Sequence, residues 1–250
     1  MSAARRQIIV VKDAPALAQT AAQRLVACIE RGPAQTAICL TGGSTPKRLY
    51  ELLAVSPWRE QIPWPRVHWF IGDDRFVPQD NPLSNTGMAR RAFLDACAPP
   101  QNVHPIRTDV ATPDEAARLY ESELRAFGAS RGGGPLFDLV LLGVGPDGHT
   151  ASLFPGFPAA NETKLWVAGV PVANVAPFVP RVSLTLPCLE SAHEVLFMAS
   201  GHDKKSILSR VFAGEYLPAA RAHAASGETI WLIDEAAAPQ KTNDHSVHAR

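Results

Sequence analysis

A histidine and an aspartate stand two residues apart in the glycine-rich stretch 143–150, near the middle of the chain. An imidazole titrates near neutral pH, so His149 can take a proton from water and return it to a departing group. The carboxylate of Asp147 could orient this ring and stabilise its cationic form. Among the other histidines outside the C-terminal tail, the only rival is His202, which is followed by Asp203 and Lys204. We therefore predict a general base at His149, assisted by Asp147.

A second stretch has the residues of an anion site. Residues 41–46 read Thr-Gly-Gly-Ser-Thr-Pro and follow a short apolar run. Gly42 and Gly43 allow the backbone to approach a ligand closely. After Ser44, a helix with Thr45 at its cap and Pro46 at its first position offers unpaired N–H groups to negative charge. The stretch lacks the ending of a Walker A loop. It predicts a phosphate site, although an ordinary strand-to-helix turn would have the same pattern.

A third stretch, Asp73-Asp74-Arg75, places two carboxylates and a guanidinium after another apolar run. Adjacent side chains on an extended segment point in opposite directions. One carboxylate can therefore face a site while the other anchors the loop, for example by pairing with Arg75. A solvated charged turn is the alternative interpretation. Two more cations, Arg181 and Lys204, start a predicted strand and a predicted helix, and either could reach a bound phosphate.

The pattern of elements around these stretches alternates between strand and helix. Predicted strands cover residues 7–11, 37–40, 67–71, 137–142, 165–170, 182–186, 195–199 and 229–233, and predicted helices cover 14–30, 46–54, 113–127 and 204–212. Continuous apolar strands between helices indicate a Rossmann-like α/β fold with a mostly parallel sheet and helices on both faces. We expect one catalytic domain over residues 1–238, a small accessory lobe around 150–180, and a flexible tail at 239–250.

The same pattern predicts where the site lies. In an open parallel sheet, ligands bind beyond the carboxyl ends of the strands. The stretches 41–45, 72–78 and 143–150 each follow a predicted strand. We therefore expect them to meet in space, although about thirty and seventy residues separate them along the chain.

Composition argues against several classes of protein. Lys plus Arg and Asp plus Glu both number 24, whereas a nucleic-acid-binding protein usually has a basic excess. No run approaches the ~20 apolar residues of a membrane span, and the apolar run near the N-terminus is too short for an export signal. The four cysteines are far apart and lack zinc-ligand spacing. These features predict a cytoplasmic protein with reduced thiols and no nucleic-acid or membrane partner.

The glycine-rich stretch also suggests a different ligand. Gly143, Gly145 and Gly148 match G-x-G-x-x-G, the fingerprint of dinucleotide-binding loops. That motif needs a helix directly after the loop and an acid at the end of the next strand. Here Pro146 interrupts the turn, further prolines follow, and the predicted strand 165–170 ends without an acid. NAD(P) binding is therefore disfavoured.

Taken together, the motifs resemble those of the 6-phosphogluconolactonase family from about Ile8 to Ala238. The most specific part is Gly-His-Thr-Ala-Ser-Leu-Phe-Pro at residues 148–155. Further matches are Thr41–Pro46, Asp73–Arg75 with Val77-Pro78, Ser84-Asn85, Arg181–Thr185, Gly201 with Lys204, and Trp231 with Asp234. The resemblance implies hydrolysis of 6-phospho-D-glucono-1,5-lactone in the oxidative pentose phosphate pathway, without metal or organic cofactor. It also implies the fold of glucosamine-6-phosphate deaminase and ribose-5-phosphate isomerase. We expect the protein to be a monomer.

The resemblance assigns roles to the candidate residues. His149 activates water, with Asp147 and Asp73 in the catalytic group, and Arg75 contacts the phosphate or the sugar acid. Arg181 and the loop from Gly42 to Thr45 bind phosphate. The spacing from Gly201 favours Lys204 over Lys205 as the last phosphate ligand.

The sibling deaminase and a non-catalytic sugar-phosphate-binding protein are the alternatives. The deaminase pattern has a Glu five residues after the His and a Tyr at the position of Arg75. Phe154 stands where that acid would be, and lactone hydrolysis needs no such acid. One residue departs from the lactonase pattern: Asp74 occupies a position that is usually Glu, which puts in doubt any role that requires the longer side chain.

Overall fold

The structure is a computed structural model that describes residues 5–173 and 175–239. Within them lie ten strands: β1 (Arg5–Val11), β2 (Thr36–Leu40), β3 (Val67–Ile71), β4 (Asp73–Arg75), β5 (Val103–His104), β6 (Leu139–Leu142), β7 (Val167–Val170), β8 (Arg181–Leu184), β9 (Glu194–Ala199) and β10 (Glu228–Asp234). The α-helices are α1 (Ala14–Arg31), α2 (Ser44–Leu53), α3 (Trp58–Gln61), α4 (Asn85–Ala89), α5 (Asp95–Cys97), α6 (Pro113–Ser130), α7 (Leu186–Glu190), α8 (Lys205–Phe212) and α9 (Pro218–Arg221). From residue 240 onward, the predicted tail lies outside the described residues.

The main sheet has seven parallel strands in the order β1-β10-β9-β6-β2-β3-β5. Every residue of the central strands β2, β6 and β9 is buried. Successive side chains of a strand point to opposite faces, so both faces of the sheet centre are covered. The α/β fold that the sequence predicts is therefore confirmed.

A second, antiparallel sheet has three strands in the order β4-β8-β7, of which only β7 lies within residues 150–180, where the sequence predicts an accessory lobe. Its first strand, Asp73–Arg75, was expected to be a loop, and this expectation is wrong. The segment pairs with β8, in a register that sets Asp73 opposite Ser183 and Arg75 opposite Arg181. The two sheets thus meet at the carboxyl end of β3, because only Gly72 separates β3 from β4.

The long helices begin where capping residues predict. The side chain of Asp13 accepts the backbone N–H of Ala16 at 2.9 Å at the start of α1. At the start of α6, the hydroxyl of Thr112 accepts the N–H of Glu115 at 3.1 Å, and the Glu115 carboxylate accepts the N–H of Ala111 at 3.2 Å. These bonds satisfy N–H groups that have no partner within the helix.

The start of α2 differs from the prediction. Thr45 was expected at the cap and Pro46 at the first helical position, but the helix already begins at Ser44. Its N-cap is Gly43, with φ at 113°, a conformation that a residue with a Cβ rarely adopts. No side chain caps this helix, so its first N–H groups remain available to a ligand. None of the helices in the described segments is long and apolar enough to cross a membrane.

Candidate active site

The three predicted stretches line one cavity of about 260 Å³ at the carboxyl ends of the main-sheet strands. Their predicted convergence is therefore confirmed. Of the candidate residues, the cavity lining includes Gly42, Gly43, Asp73, Arg75, His149, Arg181 and Lys204. Ser44 instead lines a neighbouring cavity that shares Gly43 and Arg75 with the first. Thr45 lines neither of these two cavities, and Asp147 reaches the first only through its contact with His149.

His149 is held on both sides by its own loop. Its Nδ1 lies 2.5 Å from Oδ1 of Asp147, and the same oxygen accepts the His149 backbone N–H at 3.1 Å. Gly145 packs against the ring so closely that a Cβ there would lie 2.0 Å from Cε1 of His149. Because Nδ1 is occupied by a carboxylate, Nε2 is the nitrogen that can exchange protons in the cavity.

The charge state of Asp147 follows from this contact. Partial burial acts to raise the pKa of the Asp147 carboxyl, but the hydrogen bond and positive charge of His149 outweigh burial and bring the pKa below its ordinary value. Asp147 is therefore ionised throughout the neutral range, where it can stabilise a protonated imidazole.

The other face of the imidazole contacts Phe154. The two ring centroids are 4.6 Å apart, and Phe154 is buried. The guanidinium of Arg181 lies 5.1 Å from the centroid of the same phenyl ring. Phe154 thus contacts both the candidate base and a candidate phosphate ligand. An aromatic ring attracts cations through its quadrupole and holds them without neutralising their charge.

The two adjacent aspartates point in different directions, as the sequence predicts. Asp73 lines the cavity, and its Oδ2 accepts the hydroxyl of buried Ser152 at 2.7 Å. Asp74 is fully buried and receives hydrogen bonds from the segment that starts α4: the N–H groups of Asn85 and Thr86 at 2.6 and 2.9 Å, and the Ser84 hydroxyl at 3.1 Å.

Asp74 therefore anchors the loop, but not in the way suggested. The suggested pairing with the Arg75 side chain is wrong, because Arg75 reaches Asp74 only through its backbone N–H, at 2.8 Å. Burial raises the pKa of Asp74, and the bonds from Thr86 and Asn85 oppose this shift.

Three cationic side chains line the cavity against the one carboxylate of Asp73. Arg75 donates from Nη1 to the carbonyl of Leu83 at 3.0 Å. Arg181 is buried and donates from Nη2 to the carbonyl of Pro177 at 3.1 Å, and burial lowers the pKa of its guanidinium. The Nε atoms of Arg75 and Arg181 are both buried and have no partner among the described residues. Buried donors without partners are costly unless a ligand satisfies them.

Lys204 completes the cationic group. Its Nζ donates to the carbonyl of Val144 at 3.1 Å and lies 3.6 Å from the Asp203 carboxylate. Lys205, the alternative in the sequence, is absent from the residues that line this cavity. The excess of positive charge, together with the uncapped start of α2, makes the cavity suitable for a phosphorylated or carboxylated small molecule.

Comparison with known proteins agrees with this chemistry. Residues 12–231 match the family described as glucosamine-6-phosphate isomerases/6-phosphogluconolactonase. A curated 6-phosphogluconolactonase of Synechocystis sp. is 43% identical over 217 residues, which cover 84% of this chain and 86% of the relative. The chain belongs to this family. The resemblance in the sequence motifs is thus confirmed.

Solved structures extend the likeness to the fold. The 6-phosphogluconolactonase from Trypanosoma cruzi matches with a TM-score of 0.83 at 30% identity, over 96% of this chain and 98% of that one. A monomeric glucosamine-6-phosphate deaminase matches with a TM-score of 0.78 over 92% of this chain and 98% of that one. Its identity is only 20%, so this likeness concerns the fold alone.

The family context leaves the dinucleotide interpretation without support. Residues 143–150 form a turn and not the start of a helix, so the G-x-G-x-x-G match lacks the helix that would bind a pyrophosphate. Within the described part of the chain there is also no cluster of three or more His, Cys, Asp or Glu side chains able to hold a metal ion.

Two polar residues of this family site were not among the predicted site residues. The hydroxyl of Ser152 donates to Asp73, and the backbone N–H of Ser152 donates to the hydroxyl oxygen of Ser183 at 3.1 Å. Asn85 lines the cavity and contacts Asp73 and Arg75. Both lie in motifs that carry the family resemblance, but their partners come from other segments, so no local pattern indicates these bonds.

Proposed function

We propose that this protein hydrolyses 6-phospho-D-glucono-1,5-lactone to 6-phospho-D-gluconate, the activity that the names of its relatives describe. The observation that carries the proposal is the His149–Asp147 pair, 2.5 Å apart, at a cavity with three cations against one carboxylate. An acid–base group next to an anion site suits a phosphorylated ester. Phe154 supplies no acid beside His149, which disfavours the deaminase chemistry.

Binding precedes chemistry in this proposal. The 6-phosphate is held at the cationic end of the cavity by Arg181, Lys204 and the start of α2, where Gly42 and Gly43 permit close approach. Ser44 and Thr45 contribute through the N–H groups of the helix start and not through their hydroxyls. Arg75 contacts the phosphate or the sugar acid. Fixing the phosphate holds the lactone carbonyl beside His149, which converts an encounter into a positioned reaction.

Hydrolysis then proceeds by acid–base catalysis. Nε2 of His149 removes a proton from water, whose oxygen attacks C1 of the lactone. Asp147 stabilises the resulting imidazolium, and backbone N–H groups of a glycine loop stabilise the oxyanion. When the bond between C1 and the ring oxygen breaks, His149 returns its proton to that oxygen. Asp73, fixed by Ser152, is positioned to hold the sugar or the attacking water. No metal or organic cofactor takes part in these steps.

The biological setting follows from the same proposal. The reaction belongs to the oxidative pentose phosphate pathway, and we assign it to the cytoplasm, where the four free thiols of the described residues would stay reduced. We further propose that residues 1–238 act as one catalytic domain and that the protein is a monomer.

The test is replacement of the candidate base. The lactone is generated with glucose-6-phosphate dehydrogenase, and its disappearance is followed above the spontaneous rate. His149→Ala should lower kcat by ~10²–10⁴-fold, the usual contribution of positioned acid–base catalysis. His193→Ala is the matched control, because His193 is exposed and directly precedes β9, at the amino end of the strand, whereas the cavity lies at the carboxyl ends. Full turnover by His149→Ala would disprove the role of His149. If the wild type binds the sugar phosphate but does not hydrolyse the lactone, the proposed enzymatic activity is disproved.

A further inference from the structure

Asn85, the first residue of α4, lies between the loop 41–45 and the strand β4. Its side chain is buried, with 4% of its surface exposed. Oδ1 accepts Nη1 of Arg75 at 2.6 Å, while Nδ2 donates to the backbone carbonyl of Asp73 at 2.7 Å and lies 3.5 Å from the Asp73 carboxylate. One amide therefore connects the candidate cation and the candidate acid of the same cavity.

The loop 41–45, which contains Gly42 and Gly43, packs against the same side chain. A Cβ on Gly42 would lie 2.0 Å from Oδ1 of Asn85, so a larger residue at 42 would displace the amide. The backbone of Asn85 is fixed as well, because its N–H donates to buried Asp74 at 2.6 Å. Asn85 thus has a defined position relative to both the loop 41–45 and β4.

The chemistry of the two partners explains why an amide is present here. A guanidinium only donates hydrogen bonds, and a backbone carbonyl only accepts them. A side-chain amide satisfies both at once, whereas an ionised carboxylate would repel the carbonyl and the nearby Asp73 carboxylate. Among the described residues, the only other hydrogen bond of the Arg75 guanidinium is to the Leu83 carbonyl. Asn85 therefore fixes the direction of its guanidinium.

We propose that Asn85 is a positioning residue that aims the Arg75 guanidinium into the cavity and so sets the affinity for the anionic group of the substrate. Asn85 acts through Arg75, and its removal leaves that side chain free to swing away. This inference rests on the proposed function, in which Arg75 contacts the phosphate or the acid of the sugar.

The test is a double-mutant cycle between Asn85→Ala and Arg75→Ala, with 6-phosphogluconate as the ligand. Calorimetry gives Kd, and initial rates give KM and kcat. Asn85→Ala should raise Kd and KM by about tenfold or more, the range for a lost bond to a charged group, with a smaller fall in kcat. In the Arg75→Ala background, the same change should alter Kd by less than about twofold, because coupled residues are not additive.

Two further variants keep the result interpretable. Asn161→Ala changes an exposed asparagine that contacts Arg221 and does not line the cavity, and it should leave Kd unchanged. Should Asn85→Ala fail to fold, the isosteric Asn85→Asp replaces it. At pH 8 its new carboxylate lies beside the Asp73 carboxylate and the Arg75 guanidinium, and the neighbouring cavity that it lines also holds Lys47, Glu51 and Arg91. It pairs with Arg75 and competes with the ligand, so KM should rise at pH 8 and fall towards the wild-type value as the carboxyl is protonated.

The outcomes separate the inference from the proposed function. A well-folded Asn85→Ala variant that loses affinity equally in both backgrounds, or not at all, overturns the positioning role. If Asn85→Asp is used in its place, a KM that does not change with pH also overturns the positioning role. If the wild type binds 6-phosphogluconate but does not hydrolyse the lactone, the proposed function fails while the coupling can still be observed. If the wild type binds no 6-phosphogluconate, both are overturned.

Discussion

At the scale of single residues, Phe154 shows how an apolar side chain can organise charged ones. Its ring contacts the imidazole of His149, at 4.6 Å between centroids, and the guanidinium of Arg181, at 5.1 Å. A carboxylate at this place would pair with both groups and would neutralise the charge available to an anion. The phenyl ring keeps the two groups apart and leaves Arg181 free for a ligand.

Phe154→Leu is expected to lower kcat/KM by about two- to thirtyfold, since a cation–π contact contributes ~0.5–2 kcal/mol. Leucine fills much of the volume but has no quadrupole to hold either cation. The measurement is the initial rate of lactone hydrolysis, together with a thermal unfolding curve that shows the variant to be folded. Phe157→Leu changes a neighbouring ring, 5.7 Å from Phe154, and should retain activity. Unchanged kcat/KM in a folded Phe154→Leu protein would remove Phe154 from the site.

At the scale of elements, the short strand β4 depends on Asp74. This carboxylate is fully buried and receives four hydrogen bonds, three of them from residues 84–86 and one from Arg75. Its place between β4 and the start of α4 fixes both Asp73 and Asn85 beside the cavity. The shorter acid at this position therefore acts as a structural anchor.

Asp74→Glu, the residue usual in the family resemblance, should destabilise this particular chain. An added methylene in a filled site usually costs about 1–3 kcal/mol, which lowers Tm by about 2–4 °C per kcal/mol in a protein of this size. Thermal or denaturant unfolding measures the change. Asp80→Glu makes the same substitution at an exposed position a few residues away and should leave Tm unchanged. If the Tm of Asp74→Glu is as high as that of Asp80→Glu, the surroundings of Asp74 tolerate either acid.

The elements also show how far the sequence could be interpreted. Strands and helices with long apolar periodicity, such as β3 and α1, lie within one or two residues of their predicted bounds. The strand β4 and the short helices between residues 85 and 97 were not predicted. A three-residue strand is too short to show a periodicity. It forms through pairing with β8, which lies more than a hundred residues later in the chain.

At the scale of the whole molecule, the convergence of the site was predictable and its internal contacts were not. The carboxyl ends of parallel strands lie at the same end of the sheet, so three segments that follow such strands must approach one another. The amide of Asn85 and the hydroxyl of Ser152 depend on side-chain positions that no single-sequence pattern records. His149 and Asp147 were found because two residues in one tight loop carry their geometry within the local sequence.

The edge of the main sheet carries a second group of titratable residues, away from the cavity. Nδ1 of His68 on β3 lies 2.9 Å from Nε2 of His104 on β5, and Nδ1 of His104 lies 2.6 Å from the Glu123 carboxylate of α6. Burial lowers the pKa of His68, and the charges of His104 and Arg131 lower it further. This chain of contacts ties the edge of the sheet to the helix that covers it.

The pKa of His68 links the stability of the whole molecule to pH. In the unfolded chain a histidine titrates near pH 6.5, and in the folded protein His68 titrates lower, so the folded state binds fewer protons in this range. The free energy of unfolding should therefore fall as the pH drops below about 6.5. His68→Gln removes this group and should show a smaller loss of Tm between pH 7.5 and 5 than the wild type. His193→Gln, at an exposed position, should follow the wild type. A loss of Tm as large in His68→Gln as in the wild type would place the acid sensitivity elsewhere in the molecule.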